Sequence, residues 1–287
     1  MILDGKKTMW DEKYENLSSR ELLLKGHEVA SETLRLLCVH FNEKLPLADL
    51  AGARIAVLIG TAMKAINTSN AILMLCVERP YFEEMYILVR TLIESIVNGA
   101  YIQIAEDDEV NAFLHFDSIS LAKSLRIAET VSPEAVGTMS EKLRDQFRVH
   151  TESIKQMIGK TEQDFSWTRL DIVSKGERID KKLGVPTFGV VCKVLFPSSH
   201  TYIHGGYRSL EAYIHPERIA IHEDFLNFQA DGALHHTVVA LFALCITMNQ
   251  LTDQRLDNWL AVIQSILTTY SDQVKSAMPR TYAANGF

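Results

Sequence analysis

Helical periodicity dominates the pattern of apolar and polar positions along this chain. Leucine, alanine, methionine and glutamate fill the long segments, glycines and prolines fall between them, and no segment shows the alternation that is typical of a strand. The pattern predicts an all-α fold, namely a multi-helix bundle with long antiparallel helices. We predict a polar N-terminal segment at residues 1–17 and a single helical domain at residues 18–280.

Capping residues and prolines indicate where the helices begin and end. Ser18 followed by Glu21 is typical of a capping box, and it predicts a helix from there to about Phe41. The helices predicted after it span, in order, residues 46–78, 80–105, 107–129, 133–159, 188–196, 223–251 and 255–278. The helix at residues 46–78 is predicted either to be continuous or to break near Thr68. The short apolar helix at residues 188–196 is expected to end at Pro197.

Charge is concentrated between residues 141 and 182, where eighteen of forty-two side chains are charged and ten of these are basic. We therefore predict a charged helical insertion at residues 141–185, a solvated hairpin that projects from the bundle. Its basic side chains include Arg144, Arg148, Lys155 and Lys160. A surface for nucleic acid or for a protein partner is the alternative interpretation of this segment.

The overall composition narrows the classes of function. A net charge of -7 argues against a broad surface for phosphate backbones. The four cysteines are far apart, which predicts buried reduced thiols, and the N-terminal sequence lacks the pattern of a secretory signal. The longest uninterrupted apolar run, residues 238–246, is much shorter than the roughly 20 residues that span a bilayer. We expect a cytoplasmic protein with no membrane partner.

Two charged side chains, Arg90 and Glu94, interrupt the otherwise uncharged run of residues 85–105. Burying a charge is costly unless the charge is paired and hydrogen-bonded. Because the two lie one helical turn apart, we predict a buried ion pair that reaches a third group on another helix; an exposed pair is the alternative. Tyr101 falls on the same stripe of the helix and Asn98 on a neighbouring one, which makes both candidates for ligand binding.

The predicted third group is His204, in the segment SSHTYIHGG. It completes a candidate catalytic set with Arg90 and Glu94. In a catalytic interpretation His204 is the general acid or base, Arg90 stabilises charge on a phosphate, and Glu94 orients one of them.

The same segment supplies further candidates for ligand binding, Ser199, His200 and Gly205. His200 and His204 lie four residues apart, so that a metal site with Glu94 as the third ligand is an alternative. HExxH, Walker, dinucleotide and GxSxG motifs are all absent from the sequence. We predict neither a metal nor a cofactor.

Three parts of the chain together resemble DUF5677, a prokaryotic family of unknown function. They are the run LVRTLIESIVNGAYIQIAEDDEVNAFLHFDS, the later Trp167, and the segment SSHTYIHGG. The positions that match the family pattern are Arg90, Glu94, Trp167, Ser198 or Ser199, His204 and Gly205. The resemblance covers about residues 60–250, although a tyrosine expected near Phe188 is absent. It implies an all-helical fold and no assigned activity.

A looser resemblance is to the HEPN superfamily, whose members use an arginine and a histidine on RNA without a metal. Those two residues usually lie on one helix, whereas Arg90 and His204 belong to different segments here. We favour a regulatory or ligand-binding protein in a bacterial stress or defence context. The alternative is a metal-independent endoribonuclease of a toxin or antiphage system. A homodimer is expected, and RNA and an unidentified protein remain candidate partners.

Overall fold

The computed structural model describes residues 14–42, 49–78, 82–131, 141–160, 166–184, 186–203, 223–251 and 256–277. Within these ranges the chain forms nine α-helices and no strand, so the all-α prediction is confirmed. The helices are α1 (Ser19–Asn42), α2 (Leu50–Glu78), α3 (Phe82–Ile102), α4 (Asp107–Val131), α5 (Glu141–Ile158), α6 (Ile172–Leu183), α7 (residues 187–203), α8 (Glu223–Gln250) and α9 (Asp257–Ala277). A short 3-10 turn, Tyr14–Asn16, precedes α1.

Helix α3 lies at the centre of the bundle. It packs against α2, α6, α7 and α8, while α1 packs against α2, α8 and α9. Most side chains of α3 are buried, including Leu92, Ile93 and Ile96. Its polar side chains are less buried: Thr91 is exposed, and Arg90, Glu94 and Asn98 are half-buried.

The turn between α3 and α4 is held by the start of α2. The Arg54 guanidinium donates to the Ile102 carbonyl and also to the Asp107 carboxylate, the latter at 2.8 Å. The Gln103 side chain donates to the Arg54 carbonyl at 2.9 Å. These bonds satisfy a carbonyl that the end of α3 leaves without a helical partner, and they fix the position where α4 leaves the bundle.

A charged projecting hairpin is present, with limits that differ from the prediction. It consists of α4 and α5, which pack against each other, while α6 returns to the bundle and packs against α3. In α6, Lys175, Gly176 and Ile179 are buried. The second half of the predicted insertion is thus part of the bundle, because α6 has an apolar face that its many charges obscured in the sequence.

Most predicted helix limits agree with the structure to within a few residues. The capping box of α1 is confirmed: the Ser18 amide donates to Glu21 at 2.8 Å and the Glu21 amide donates to the Ser18 hydroxyl at 3.3 Å. Helix α2 runs through Thr68 without a break. The proposed starts at Pro46, Pro80 and Pro133, and the N-terminal residues 1–13, lie outside the described residues.

Helix α7 does not end at Pro197, contrary to the prediction. It comprises Thr187–Val190, a π-helical turn at Val191–Leu195, and Phe196–Ile203. The Phe196 amide bonds to the Val191 carbonyl, five residues back. This wider turn directly precedes Pro197, whose missing N–H would otherwise interrupt a regular α-helical ladder.

Three described helical stretches are long and apolar enough to cross a bilayer: Leu50–Val77, Phe82–Ile102 and Asn227–Gln250. In the last two, 61% of the most apolar window is buried inside the bundle, against 28% in the first. Length and composition alone do not assign a membrane, so the cytoplasmic location stays a prediction.

Candidate functional site

Four polar residues of α3 are candidates from the sequence: Arg90, Glu94 and Tyr101 on one stripe of the helix and Asn98 on the neighbouring one, and we call the four together the α3 stripe. The predicted ion pair is present, with Arg90 Nε donating to Glu94 Oε1 at 3.1 Å. The side chains are 26% and 46% exposed, so the pair lies at the edge of the bundle and not inside it. The prediction of a buried pair is therefore wrong, because Arg90 is only half-buried and Glu94 is open to solvent on one side.

The Arg90 guanidinium contacts an aromatic ring on α7. Its Cζ atom lies 5.1 Å from the centre of the Phe196 ring, within the range of a cation–π contact. Phe196 directly follows the π-helical turn. Such turns widen a helix and shift the direction of the residues after them, which accounts for the position of this ring beside α3.

Asn98 is joined to a lysine of α6. The Lys175 Nζ atom donates to Asn98 Oδ1 at 2.7 Å and lies 4.7 Å from the centre of the Trp167 ring. Lys175 is 7% exposed. Burial lowers the pKa of Lys175, while the Glu94 and Glu109 carboxylates oppose that shift. An amide oxygen and an aromatic face thus surround a buried amine.

Tyr101, at the end of α3, connects the base of the hairpin to α6. Its hydroxyl donates to Glu109 Oε2 at 2.8 Å and accepts from Arg178 Nη1 at 3.1 Å. Thr168 donates to the other oxygen of Glu109 at 3.3 Å. Burial, together with the Glu109 carboxylate, raises the pKa of Tyr101 to about 12, so the phenol stays protonated near neutral pH.

Tyr101, Glu109 and Arg178 border an open cavity of about 310 Å³, which we call the polar cleft. It is lined by Tyr101, Ile104, Glu106, Glu109, Arg178, Lys181 and Lys182. The three cations come from α6, whereas both carboxylates come from the start of the hairpin. None of the three cations forms an ion pair with a carboxylate of the described residues. The three cations of the cleft are therefore available to bind an anion.

Among the sequence candidates that the structure describes, Tyr101 lines the polar cleft, whereas Arg90, Glu94, Asn98 and Ser199 do not. Ser199 is fully buried, and its hydroxyl donates to the Phe196 carbonyl of its own helix at 2.7 Å. The backbone of His200 belongs to α7, but its side chain lies outside the described residues, as do His204 and Gly205 in full. The catalytic role of His204 and the alternative metal site with His200 therefore stay predictions.

Sequence reasoning missed Lys175, Arg178 and Glu109. All three lie in stretches of the sequence that are rich in charged residues, and such stretches predict side chains exposed to solvent. One signal for the first two was available. Trp167 already belonged to the motif, and Asp171 is placed to cap a helix immediately after it; in the structure the Asp171 carboxylate accepts from the Ser174 amide at 2.7 Å.

A comparison with protein-family models agrees with the resemblance found in the sequence. The model of the family of unknown function DUF5677 matches residues 55–220, which is more than half of the chain. This range contains the α3 stripe, Trp167, and every residue that lines the polar cleft. Comparisons with curated proteins and with solved structures found no match. The chain belongs to the DUF5677 family.

Proposed function

We propose that this protein binds a small anionic ligand in the polar cleft and acts as a ligand-responsive regulatory protein. The observation that carries the proposal is the set of three α6 cations, Arg178, Lys181 and Lys182, around a cavity of about 310 Å³. That volume lies at the lower end of the range for small-molecule sites, roughly 300 to 1,000 Å³.

Arg178 is the cation best placed to hold an anion. Its Nη1 atom is already fixed by Tyr101, so the planar guanidinium has a defined orientation before any ligand binds. The remaining N–H groups of a guanidinium suit a carboxylate or a phosphate, which accept two parallel bonds. Lys181 and Lys182 lie one turn further along α6 and add charge without fixed direction.

Titration calorimetry with ethyl phosphate tests this proposal. The wild-type protein is expected to bind the probe, and Arg178→Gln is expected to weaken binding about tenfold or more. Arg35→Gln is the matched control, because Arg35 is an exposed arginine of α1 that does not line the cleft. Absence of binding to the wild type, or an equal loss in both variants, would contradict the proposal.

A metal-independent endoribonuclease of a bacterial toxin or antiphage system is the second candidate function. It is favoured by the contact of Arg90 with Phe196, because Phe196 lies on the helix that ends at Ile203, immediately before His204 in the sequence. In this function Arg90 would stabilise a phosphate and His204 would transfer a proton.

Incubation of the purified protein with end-labelled RNA in excess EDTA tests the second candidate. Cleavage by the wild type that is lost in both Arg90→Gln and His204→Ala, with folding unchanged, would support it. Intact RNA in every reaction would exclude it. We also propose that the protein forms a homodimer and that it has a protein partner. Light scattering of the same preparations measures the mass of the particle in solution and so tests the homodimer.

A further inference from the structure

We infer that the ligand of the polar cleft is dipolar, with an anionic group and a positively charged nitrogen in one small molecule. This inference rests on the proposed function, because it concerns the ligand of the same site. Its basis is the separation of charge in the lining: the cations belong to α6, and the carboxylates Glu106 and Glu109 belong to the start of the hairpin.

The two kinds of charge lie close together. Arg178 and Glu109 each form a hydrogen bond with the same oxygen atom, the hydroxyl of Tyr101. A simple anion that binds Arg178 must therefore approach a carboxylate as well, and like charges at that distance repel. A nitrogen donor on the ligand would turn that repulsion into attraction.

The carboxylates retain capacity for such a donor. An ionised carboxylate has about four lone-pair sites, and Glu109 uses two of them, for Tyr101 and for Thr168. Glu106 is exposed and forms no side-chain hydrogen bond within the described residues. An ammonium group has three donors, which fits the acceptors that remain.

The floor of the cleft limits the length and the polarity of the segment of the ligand that joins its two charged groups. Tyr101 and Ile104 line it, and Tyr101 is almost fully buried. An apolar link of a few carbon atoms would lie on these side chains, whereas a long polar chain would leave the cavity of about 310 Å³.

A matched pair of probes tests the inference. Ethyl phosphate and O-phosphoethanolamine have the same phosphate and the same number of carbon atoms, and only the second carries an ammonium group. We expect the second to bind the wild type about fivefold more tightly, which is the effect of one partly exposed charge pair. Glu106→Gln and Glu109→Gln should each reduce that ratio, and the double variant should bring it close to one.

The possible results separate this inference from the proposed function. Equal affinity of the two probes for the wild type would overturn the dipolar ligand and leave the anion site intact. Binding of neither probe would overturn both. A preference that persists in the folded double variant would show that the nitrogen is recognised elsewhere, which also overturns the inference. Glu106→Gln keeps the test valid if Glu109→Gln does not fold, because the exposed Glu106 side chain makes no contact within the described residues and its replacement should leave the fold intact.

Discussion

Lys175 of α6 donates a hydrogen bond to the side chain of Asn98 on α3, 77 positions earlier, with 2.7 Å between Nζ and Oδ1. The amine is nearly buried and faces the Trp167 ring on its other side. This bond joins α6 to the central helix next to the polar cleft. A buried charged donor without an acceptor is costly. Removal of the Asn98 acceptor should therefore destabilise the fold more than removal of the Lys175 amine.

We predict that Asn98→Ala destabilises the fold by about 1–3 kcal/mol, because it leaves the Lys175 amine without its acceptor. Lys175→Met should change stability by less than about 1 kcal/mol, since methionine keeps the volume and its sulfur can contact Trp167. Urea unfolding of both variants and of the double variant measures this. The cost of Asn98→Ala should shrink when Lys175 is already Met; equal costs in both backgrounds would refute the coupling.

The stability of the fold should also depend on two adjacent histidines of α8, His235 and His236. Burial lowers the pKa of both, and for His236 the pKa falls to about 3 with a further contribution from His235. The Nδ1 atom of His236 is buried and has no hydrogen-bond partner within the described residues. The folded state therefore holds this imidazole in its neutral form.

The direction of the pH dependence follows from these shifts. The pKa of His236 in the folded state lies below the value of 6.5 for an unperturbed histidine, so the unfolded chain takes up its proton first as the pH falls. The contribution to stability is complete above pH 6.5 and is lost progressively as the pH falls from there toward 3. At about pH 5 the loss from this residue should be about 2 kcal/mol.

Unfolding free energies at about pH 7.5 and about pH 5 test the role of His236. His236→Phe removes the titrating group and keeps an aromatic ring beside Tyr86, whose ring centre lies 5.6 Å away. This variant should lose less stability on acidification than the wild type. His150→Ala, at an exposed position of α5, is the control and should behave as the wild type does. An identical loss in the wild type and His236→Phe would disprove the assignment.

The helices were largely predictable from the sequence because their signals are local. Ser18 and Glu21 form their capping box within one turn, and Arg90 and Glu94 form their pair across one turn. The burial of Lys175 was not predictable, since it depends on Asn98 and on the packing of α6 against α3. The passage of α7 through Pro197 likewise depends on a π-helical turn, for which the sequence has no distinct periodicity.

Close packing of α6 against α7 gives a further prediction, for Gly176. A Cβ atom at this position would lie 2.6 Å from the Cys192 sulfur and 3.2 Å from the Phe188 carbonyl oxygen. Because the second of these atoms belongs to the backbone, the clash is not relieved by a side-chain rotation. Gly176→Ala should therefore destabilise the fold by about 1–3 kcal/mol, as overpacking does in other cores.

Gly60 offers a matched control for that substitution. It also lies within a helix, α2, and a Cβ atom there would meet nothing within 4 Å. Gly60→Ala should stabilise the fold by about 0.5–1 kcal/mol, because alanine has the higher helix propensity. Thermal and urea unfolding of the two variants should give opposite signs. Destabilisation by Gly60→Ala, or none by Gly176→Ala, would contradict the close packing of α6 against α7.

The hydroxyl of Tyr101 should hold the base of the hairpin against the bundle. It bonds to Glu109 in the first turn of α4 and to Arg178 of α6, and Glu109 in turn accepts from Thr168 in the connection that follows α5. Both ends of the hairpin thus meet at the Glu109 carboxylate, and the Tyr101 hydroxyl ties that carboxylate to the bundle. Tyr101→Phe keeps the buried ring and removes both bonds, each of which contributes about 1 kcal/mol or somewhat more.

Hydrogen exchange followed by mass spectrometry tests the role of Tyr101. In Tyr101→Phe, amides in the first two turns of α4 and in residues 166–170 should exchange about thirtyfold faster, because the loss of both bonds makes local opening at the hairpin base about 2 kcal/mol less costly. Tyr270→Phe is the control, since Tyr270 is a partly buried tyrosine of α9 that stacks on His235. It should leave exchange at the hairpin base unchanged. Equal acceleration there in both variants would indicate a global loss of stability, and no acceleration in Tyr101→Phe would show that other contacts hold the hairpin.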